Sequence, residues 1–388
     1  MRVSKPVVVV MYEYFFPGYR AGGPIRSLVN MITALQADYE CKVITTAYDL
    51  NGDQPYPGIE TDAWNEVRPG RDSQPVKVWY ASQKKLGITQ LRTILKQANP
   101  DIIFINGLFT QWFAGPLWLK RTGRAGRAKI VVSPRGMLQP GALQVKPLKK
   151  KIYLSLFKWA GLFKGVAWHA TTADEQADIR REMGANAEVA VAPNIPVRPV
   201  AVLSYPDKQA GQLRLVYLSI ITEKKNLLLL LQSLQDMSEN IILSVYGPVK
   251  EESYWQSCRQ MIGRLPANIT VEYRGDVQPE QVQQVLQDHH AFISLTRGEN
   301  FGHALYESLA AGRPVITSRF TPWNGLEQQQ AGLNVDIADR QAIQAAIRHL
   351  WAMDPAGYVP YCEGAHRLAG DYFYGQKFRE DYRRLFTI

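Results

Sequence analysis

Residues 297–316, RGENFGHALYESLAAGRPVI, place two carboxylates, Glu299 and Glu307, eight positions apart around a Phe-Gly pair, with an apolar run behind them. On one continuous helix that spacing would set the acids roughly 12 Å apart on different faces. A helix that begins near Gly302 instead leaves Glu299 in the loop ahead of it and puts Glu307 about one turn inside. Both acids can then face a ligand seated on the helix N-terminus, where free N–H groups and the dipole favour an anion. Two hydroxyl-bearing ends joined by a phosphate bridge would suit such a seat.

Outward from this stretch, apolar strand-like runs alternate with helix-like segments along the whole chain, the pattern of parallel α/β sheets. After residue 212 the strands read LRLVYLSI, IILSVYG, ITVEYRG, AFISLT and PVITS. Before it they read VVVVMY, KVITTA, DIIFIN, KIVVSP, AWHATT and AEVAVAP, with helices at PIRSLVNMITALQ, QWFAGPLWLKR and KKKIYLSLFKWAGLF. Residues 49–75 are polar and rich in turn formers, which predicts a long surface loop or small flap. The four prolines between residues 191 and 212 mark an interdomain connection. The expected division is an N-terminal domain over 1–196, a linker over 197–212 and a C-terminal domain over 213–364. A closing helix over 365–388 is expected to pack back on the N-terminal domain. Two similar domains imply a cleft.

A chain of 388 residues exceeds what one hydrophobic core usually supports, and 46% hydrophobic with 21% charged residues is a globular composition. Cys41, Cys258 and Cys362 have no metal-ligand spacing and fit a reducing compartment. The apolar run at the N-terminus is broken by Glu13 and reads as a first strand rather than a leader peptide. No apolar stretch reaches the roughly 18 residues of a spanning helix, so a cytoplasmic location is expected. The net charge of +10 is uneven: residues 1–196 hold 26 Lys and Arg against 15 Asp and Glu. No acid stands between Asp101 and Asp174, an interval with twelve basic residues. This part of the chain should meet something anionic.

Taken together, ENFGHALYE, SLAAGRPVITS and TPWNGLEQQQAG, with GGPIRSL near the N-terminus and APNIP at the linker, resemble the retaining glycosyltransferases of family 4. The resemblance implies the GT-B fold, two Rossmann-like domains facing across a cleft that holds a UDP- or GDP-sugar. It implies that Glu299 contacts hydroxyls of the donor sugar and that Glu307 takes the ribose diol. Backbone N–H groups around Asn300, Phe301 and Gly302 would meet sugar and diphosphate. A carboxylate accepts two hydrogen bonds from a vicinal diol, which agrees with the geometry above. His303 either touches the leaving phosphate or fills the first helical turn. Gly22 and Gly23, just ahead of a helix opened by Pro24, suit a loop that approaches phosphate. Family members carry an arginine and a lysine in the segment that reads LSIITEKKNLLLLL here. Lys225 holds the lysine position with Lys224 beside it, but Ile220 stands where the arginine belongs. Either Arg297, Arg26 or another cation then serves the diphosphate, or turnover is weakened; Arg274 joins the donor-binding candidates.

The first half departs from the family as well, because NGLF and PRGML stand where many relatives place histidines. Asn106 and Arg135 are candidates for contacts to donor sugar or acceptor; equally, they can be a turn former and a surface charge. His169 sits on a buried strand as a satisfied core histidine. No Asp-x-Asp occurs and no histidines have metal-pair spacing, so a reaction without divalent metal or other cofactor is expected. The resemblance implies transfer to a lipid-linked saccharide of the bacterial surface. A soluble sugar-phosphate acceptor is an alternative, as is a binding subunit without turnover, given Ile220. In residues 145–165, VKPLKKKIYLSLFKWAGLFKG, apolar positions recur at helical spacing among lysines. Such a helix can lie on an anionic membrane surface, or bury its apolar face in a domain core. Nucleic acid is not an expected partner, since no reader module is present.

Overall fold

The structure, a computed structural model, describes residues 5–70, 73–83, 86–110, 112–144 and 147–387. Arg71, Asp72, Gln111, Val145 and Lys146, parts of three segments singled out above, lie outside the described residues. The chain forms two compact units: Met1–Tyr19, Pro24–Ile195 and Lys377–Ile388 make the first, Arg20–Gly23 and Pro196–Gln376 the second.

Unit 1 runs β1 (Val7–Met11), α1 (Gly23–Leu35), β2 (Glu40–Thr46), β3 (Trp64–Val67), β4 (Val76–Ala81), α2 (Ile88–Ala98), β5 (Ile102–Asn106), α3 (Ala114–Arg121) and β6 (Lys129–Ser133). It continues through α4 (Pro140–Gln144), α5 (Pro147–Trp159), β7 (Val166–Ala170), α6 (Ala173–Met183) and β8 (Val189–Val191). The sheet order is β3-β4-β2-β1-β5-β6-β7-β8. All pairings are parallel except β3 with β4. The inner strands are continuous apolar runs because helices cover both faces. Val9, Met11, Ile103, Ile105, Val132 and Trp168 form the middle of one core. The polar region 49–75 is not loop throughout. Trp64 in β3 packs edge-on against Trp79 in β4, ring centroids 5.6 Å apart, and that pair anchors an antiparallel edge. Helix α6 begins where Thr172 accepts the backbone N–H of Glu175 at 3.1 Å, a cap with two acids in its first turn.

Unit 2 runs β9 (Leu213–Leu218), α7 (Leu227–Leu234), β10 (Ile241–Tyr246), α8 (Glu252–Ile262), β11 (Ile269–Gly275), α9 (Val282–Gln287) and β12 (Ala291–Ser294). After these come α10 (His303–Ala310), β13 (Val315–Ser318), β14 (Gly332–Val335), α11 (Arg340–Ala352) and α12 (Pro355–Gly375). Its six-stranded sheet is parallel, in the order β11-β10-β9-β12-β13-β14. Leu227, Leu230, Leu231 and Leu234 bury one face of α7 at helical spacing.

The end of the chain differs from the single helix expected over 365–388. Helix α12 belongs to unit 2, Gln376 breaks the helix with extended backbone, and only α13 (Phe378–Thr387) joins unit 1. There Arg379 and Arg383 pair with Asp38 at 3.0 and 2.7 Å. Phe386 meets Tyr39 edge-on. The arginine hydrogen bonds hold the Asp38 carboxyl below its usual range, Arg383 contributing most.

Candidate active site

In both sheets the strand order reverses beside the first strand, between β1 and β5 and between β9 and β12. At such a switch point the loops leaving the two strands diverge and open a crevice at their C-terminal ends, where ligands of open α/β sheets bind. In unit 2, β9 continues into a short 3-10 turn, Glu223–Lys225, and β12 continues into residues 295–302. Their parallel pairing brings these loops together. Asn226 donates its side-chain N–H to the Leu295 carbonyl at 3.0 Å, and the Arg297 N–H donates to the Lys224 carbonyl at 2.9 Å. The result is an ion pair: Lys225 Nζ donates to Glu299 Oε1, with the two side chains 22% and 18% exposed.

Gly302 caps α10 with φ 79° and ψ 62°. A Cβ there would meet only ordinary contacts, the nearest Leu305 Cβ at 3.5 Å, so the left-handed backbone is what requires glycine. The loop before it is fixed from two sides. Trp323 Nε1 donates to the Phe301 carbonyl at 2.6 Å, and the Glu299 N–H donates to the Phe320 carbonyl at 3.0 Å. Phe301, Tyr306, Trp323 and Tyr372 pack as one aromatic cluster beneath. Glu307 lies on α10, 8% exposed, so its carboxylate is held inside the fold rather than in bulk water. Asn300 and His303 are half-buried at the same corner.

Arg20–Gly23 groups with unit 2. Gly22, at φ 71°, packs against Ile220: a Cβ on it would stand 3.5 Å from the isoleucine Cδ1. A Cβ on Gly23 would stand 3.3 Å from His303 Cδ2. The glycine turn, Ile220 and His303 are therefore neighbours, and Arg20 is tied to Asp276 at 2.7 Å. Lys224 sits beside the ion pair. Desolvation pushes its ammonium below the ordinary lysine value, Glu299 opposes that shift and Lys225 adds to it.

Other candidates lie elsewhere. Arg297 projects outward, more than half exposed, and pairs with Glu223 at 2.8 Å. Arg274 is exposed on the edge strand β11, paired with Glu272 and two strands away from β9. Asn106 and Arg135 belong to unit 1, at the ends of β5 and β6. Arg135 Nε donates to Asn106 Oδ1 at 2.6 Å and its Nη1 donates to Asn194, which also accepts from Ser27 at 2.8 Å. Asn106 Nδ2 and Arg135 Nη2 are buried without a hydrogen-bond partner. Arg135 is no simple surface charge. Next to it His169 contacts Ser133 Oγ at 2.9 Å and the Ala192 carbonyl at 2.7 Å, and burial with the Arg135 charge lowers it to about 3.

Sequence reasoning missed several positioning residues. Trp323 lies inside the quoted TPWNGLEQQQAG without a signal that its indole reaches Phe301. Glu175, 1% exposed, accepts from the Gly136 N–H at 2.6 Å and from Thr171 through its N–H and hydroxyl at 2.8 and 2.7 Å. Its signature was available as the Thr-x-x-Glu capping pattern from Thr172. Among the described residues no cluster of three or more His, Cys, Asp or Glu could hold a metal ion.

No curated protein matches the chain. Among solved structures, sucrose-phosphate synthase from Thermosynechococcus elongatus superposes with a TM-score of 0.70 at 16% identity, covering 99% of this chain and 100% of that one. Anabaena HepE in complex with UDP and glucose gives 0.70 at 13% identity, over 98% and 99%. TarM from S. aureus, in a complex that includes UDP, gives 0.69 at 11% identity, over 99% and 100%. At these identities the likeness speaks to the fold, and that fold is GT-B. Residues 212–353 match the family model for Glycosyl transferases group 1, and residues 21–195 match the model for Glycosyltransferase Family 4. With both halves matched in order, the chain belongs to the group 1, family 4-like glycosyltransferases and is an enzyme of that kind.

Proposed function

We propose that this enzyme moves a sugar from a nucleoside diphosphate donor, UDP-linked in the first instance, to a hydroxyl of a lipid-linked saccharide in surface polysaccharide assembly. The reaction would retain configuration, need no divalent metal and take place in the cytoplasm. The observation that carries the donor half is the Lys225–Glu299 pair at the β9–β12 switch point, with Glu307 buried on the adjoining helix. HepE and TarM, which share the fold, are seen with UDP, and this favours uridine over guanosine.

In this reading Glu307 accepts from the ribose diol and Glu299 from the donor sugar, while Lys225 passes from Glu299 to the diphosphate as leaving charge develops. The N-terminus of α10 offers its free N–H groups to the same anion. Ile220 removes the family arginine, so Lys224 and Lys225 carry the cationic part. The departing diphosphate takes the acceptor proton on the face from which it leaves, and no protein nucleophile is required. The lipid-borne acceptor is favoured by the acid-free, basic interval of unit 1.

Calorimetric binding of UDP and GDP without divalent metal, to the wild type and to Glu307→Ala, tests the donor assignment. One nucleotide should bind in the micromolar range, and loss of the diol's partner should weaken it by about 1–3 kcal/mol. If neither binds, or the substitution changes nothing, the two-glutamate reading fails.

A further inference from the structure

We infer that α5 is a docking surface for an anionic lipid bilayer. The proposal rests on the helix itself and stands whatever the acceptor is. Helix α5 buries Leu154 and Phe157, and Phe157 stacks on Tyr153 and Phe113 with centroids 4.1 and 5.7 Å away. Its opposite face is uncovered. Leu148, Ile152, Leu156 and Trp159 are 69%, 58%, 55% and 86% exposed. At about 100° per residue these four positions fall within an arc of about 80°, one continuous apolar stripe along the helix. Scattered surface leucines are ordinary; four large apolar side chains in one row are not.

The stripe is flanked by cations. Lys149 lies on one side and Lys151 and Lys158 on the other, all three exposed. Past the C-terminus of α5, Lys164 and, from α3, Arg121 stand beside Gly161, while Lys120 turns inward to the Gly165 carbonyl at 2.7 Å, where burial pushes its ammonium below the ordinary lysine value and Glu188 opposes that shift. No carboxylate belongs to the segment from Ile102 to Ala173. A protein partner with an apolar groove would serve the stripe but not the exposed lysines beside it. An anionic bilayer serves both, because acyl chains take the leucines, headgroups take the lysines, and the indole of Trp159 suits the boundary. With 13 residues α5 is too short to cross, and among the described residues no helix is long and apolar enough to do so. It would lie in the plane of the interface.

Flotation of the full chain with vesicles tests this, using phosphatidylcholine alone and phosphatidylcholine with about 30 mol % phosphatidylglycerol. The wild type should float with the anionic vesicles and not with the neutral ones, and about 0.5 M salt should release it. Ile152→Ser/Leu156→Ser and, separately, Lys149→Glu/Lys151→Glu should each lower partitioning about tenfold or more. All substituted side chains are exposed, so both variants should fold and keep wild-type UDP affinity. That separates loss of docking from failure of the nucleotide site. Wild type that ignores anionic vesicles, or variants that float like wild type, would overturn the proposal. So would a wild-type dimer in light scattering that the serine variant returns to monomer, since the stripe would then be a contact between copies.

Discussion

Glu299→Gln should tighten the binding of UDP, although it removes a residue of the proposed donor site. Without ligand, Lys225 is held by Glu299 in a setting where both side chains are about four-fifths buried. Two unit charges near 4 Å in an effective dielectric of about 20 attract by about 4 kcal/mol, and desolvating them offsets most of it. A net of about 1 kcal/mol remains, the upper end for pairs that still touch water. A diphosphate that draws on Lys225 must forgo this much. Glutamine keeps the shape and releases the ammonium, so UDP should bind about fivefold tighter at low salt, while turnover of the UDP-sugar falls. Lys225→Met should weaken UDP by about 1.5–3 kcal/mol, the range for hydrogen bonds to charged groups. On that background Glu299→Gln should change affinity less than about twofold. Calorimetry on the four proteins measures the cycle. If Glu299→Gln weakens UDP as Lys225→Met does, the lysine only clamps Glu299. If the glutamine gains as much without Lys225, the benefit is a general loss of negative charge and the competition argument fails.

Ile220→Arg should restore a cation at the position where family members carry one. Since Ile220 is half-buried beside Gly22, a gain of about 1 kcal/mol in UDP affinity is expected, and unchanged or weaker calorimetric binding would show that the position no longer faces the diphosphate. His169 predicts a pH effect on unit 1. Its folded value, near 3, lies below the unfolded 6.5, so its contribution is complete above about pH 6.5 and drains as pH falls toward 3. The slope reaches about 1.4 kcal/mol per pH unit, so urea unfolding of the wild type should lose about 2–3 kcal/mol between about pH 6.5 and 4.5 that His169→Gln does not lose. Equal slopes in the two proteins would refute the assignment.

Much of the site was legible because its determinants are local. Gly302 needs a left-handed backbone whatever surrounds it, and that requirement sits in the sequence between the two glutamates. The buried strands were equally legible, since a strand covered on both faces must be apolar throughout. Strands β3 and β4 were harder. The polar, partly exposed residues of β3 look like loop until Trp64 finds Trp79 on the largely buried β4, and that contact exists only once the antiparallel edge has formed. Asn106 and Arg135 show the same limit from the chemical side. Their residue types suit ligand contact, but each takes the other as partner, with Asn194 as a third from the end of a different strand.

The contact that matters most could not have come from spacing at all. Lys225 and Glu299 are 74 residues apart, with β10 and β11 lying between them in sequence. They meet because β12 crosses back over those strands to pair with β9, so that a property of sheet order selects the charges that share one crevice. The same order explains which cations are left out. Arg274 ends up on the far edge with Glu272, and Arg297, although only two residues from Glu299, turns outward to Glu223. With Ile220 apolar, Lys224 and Lys225 become the cations gathered at the end of β9. Lys224 is held below its ordinary value by desolvation, and Lys225 is paired to the acid that the sugar would need. In the proposed reaction, arrival of a donor therefore separates one ion pair and uses both halves, the lysine for the diphosphate and the glutamate for the sugar.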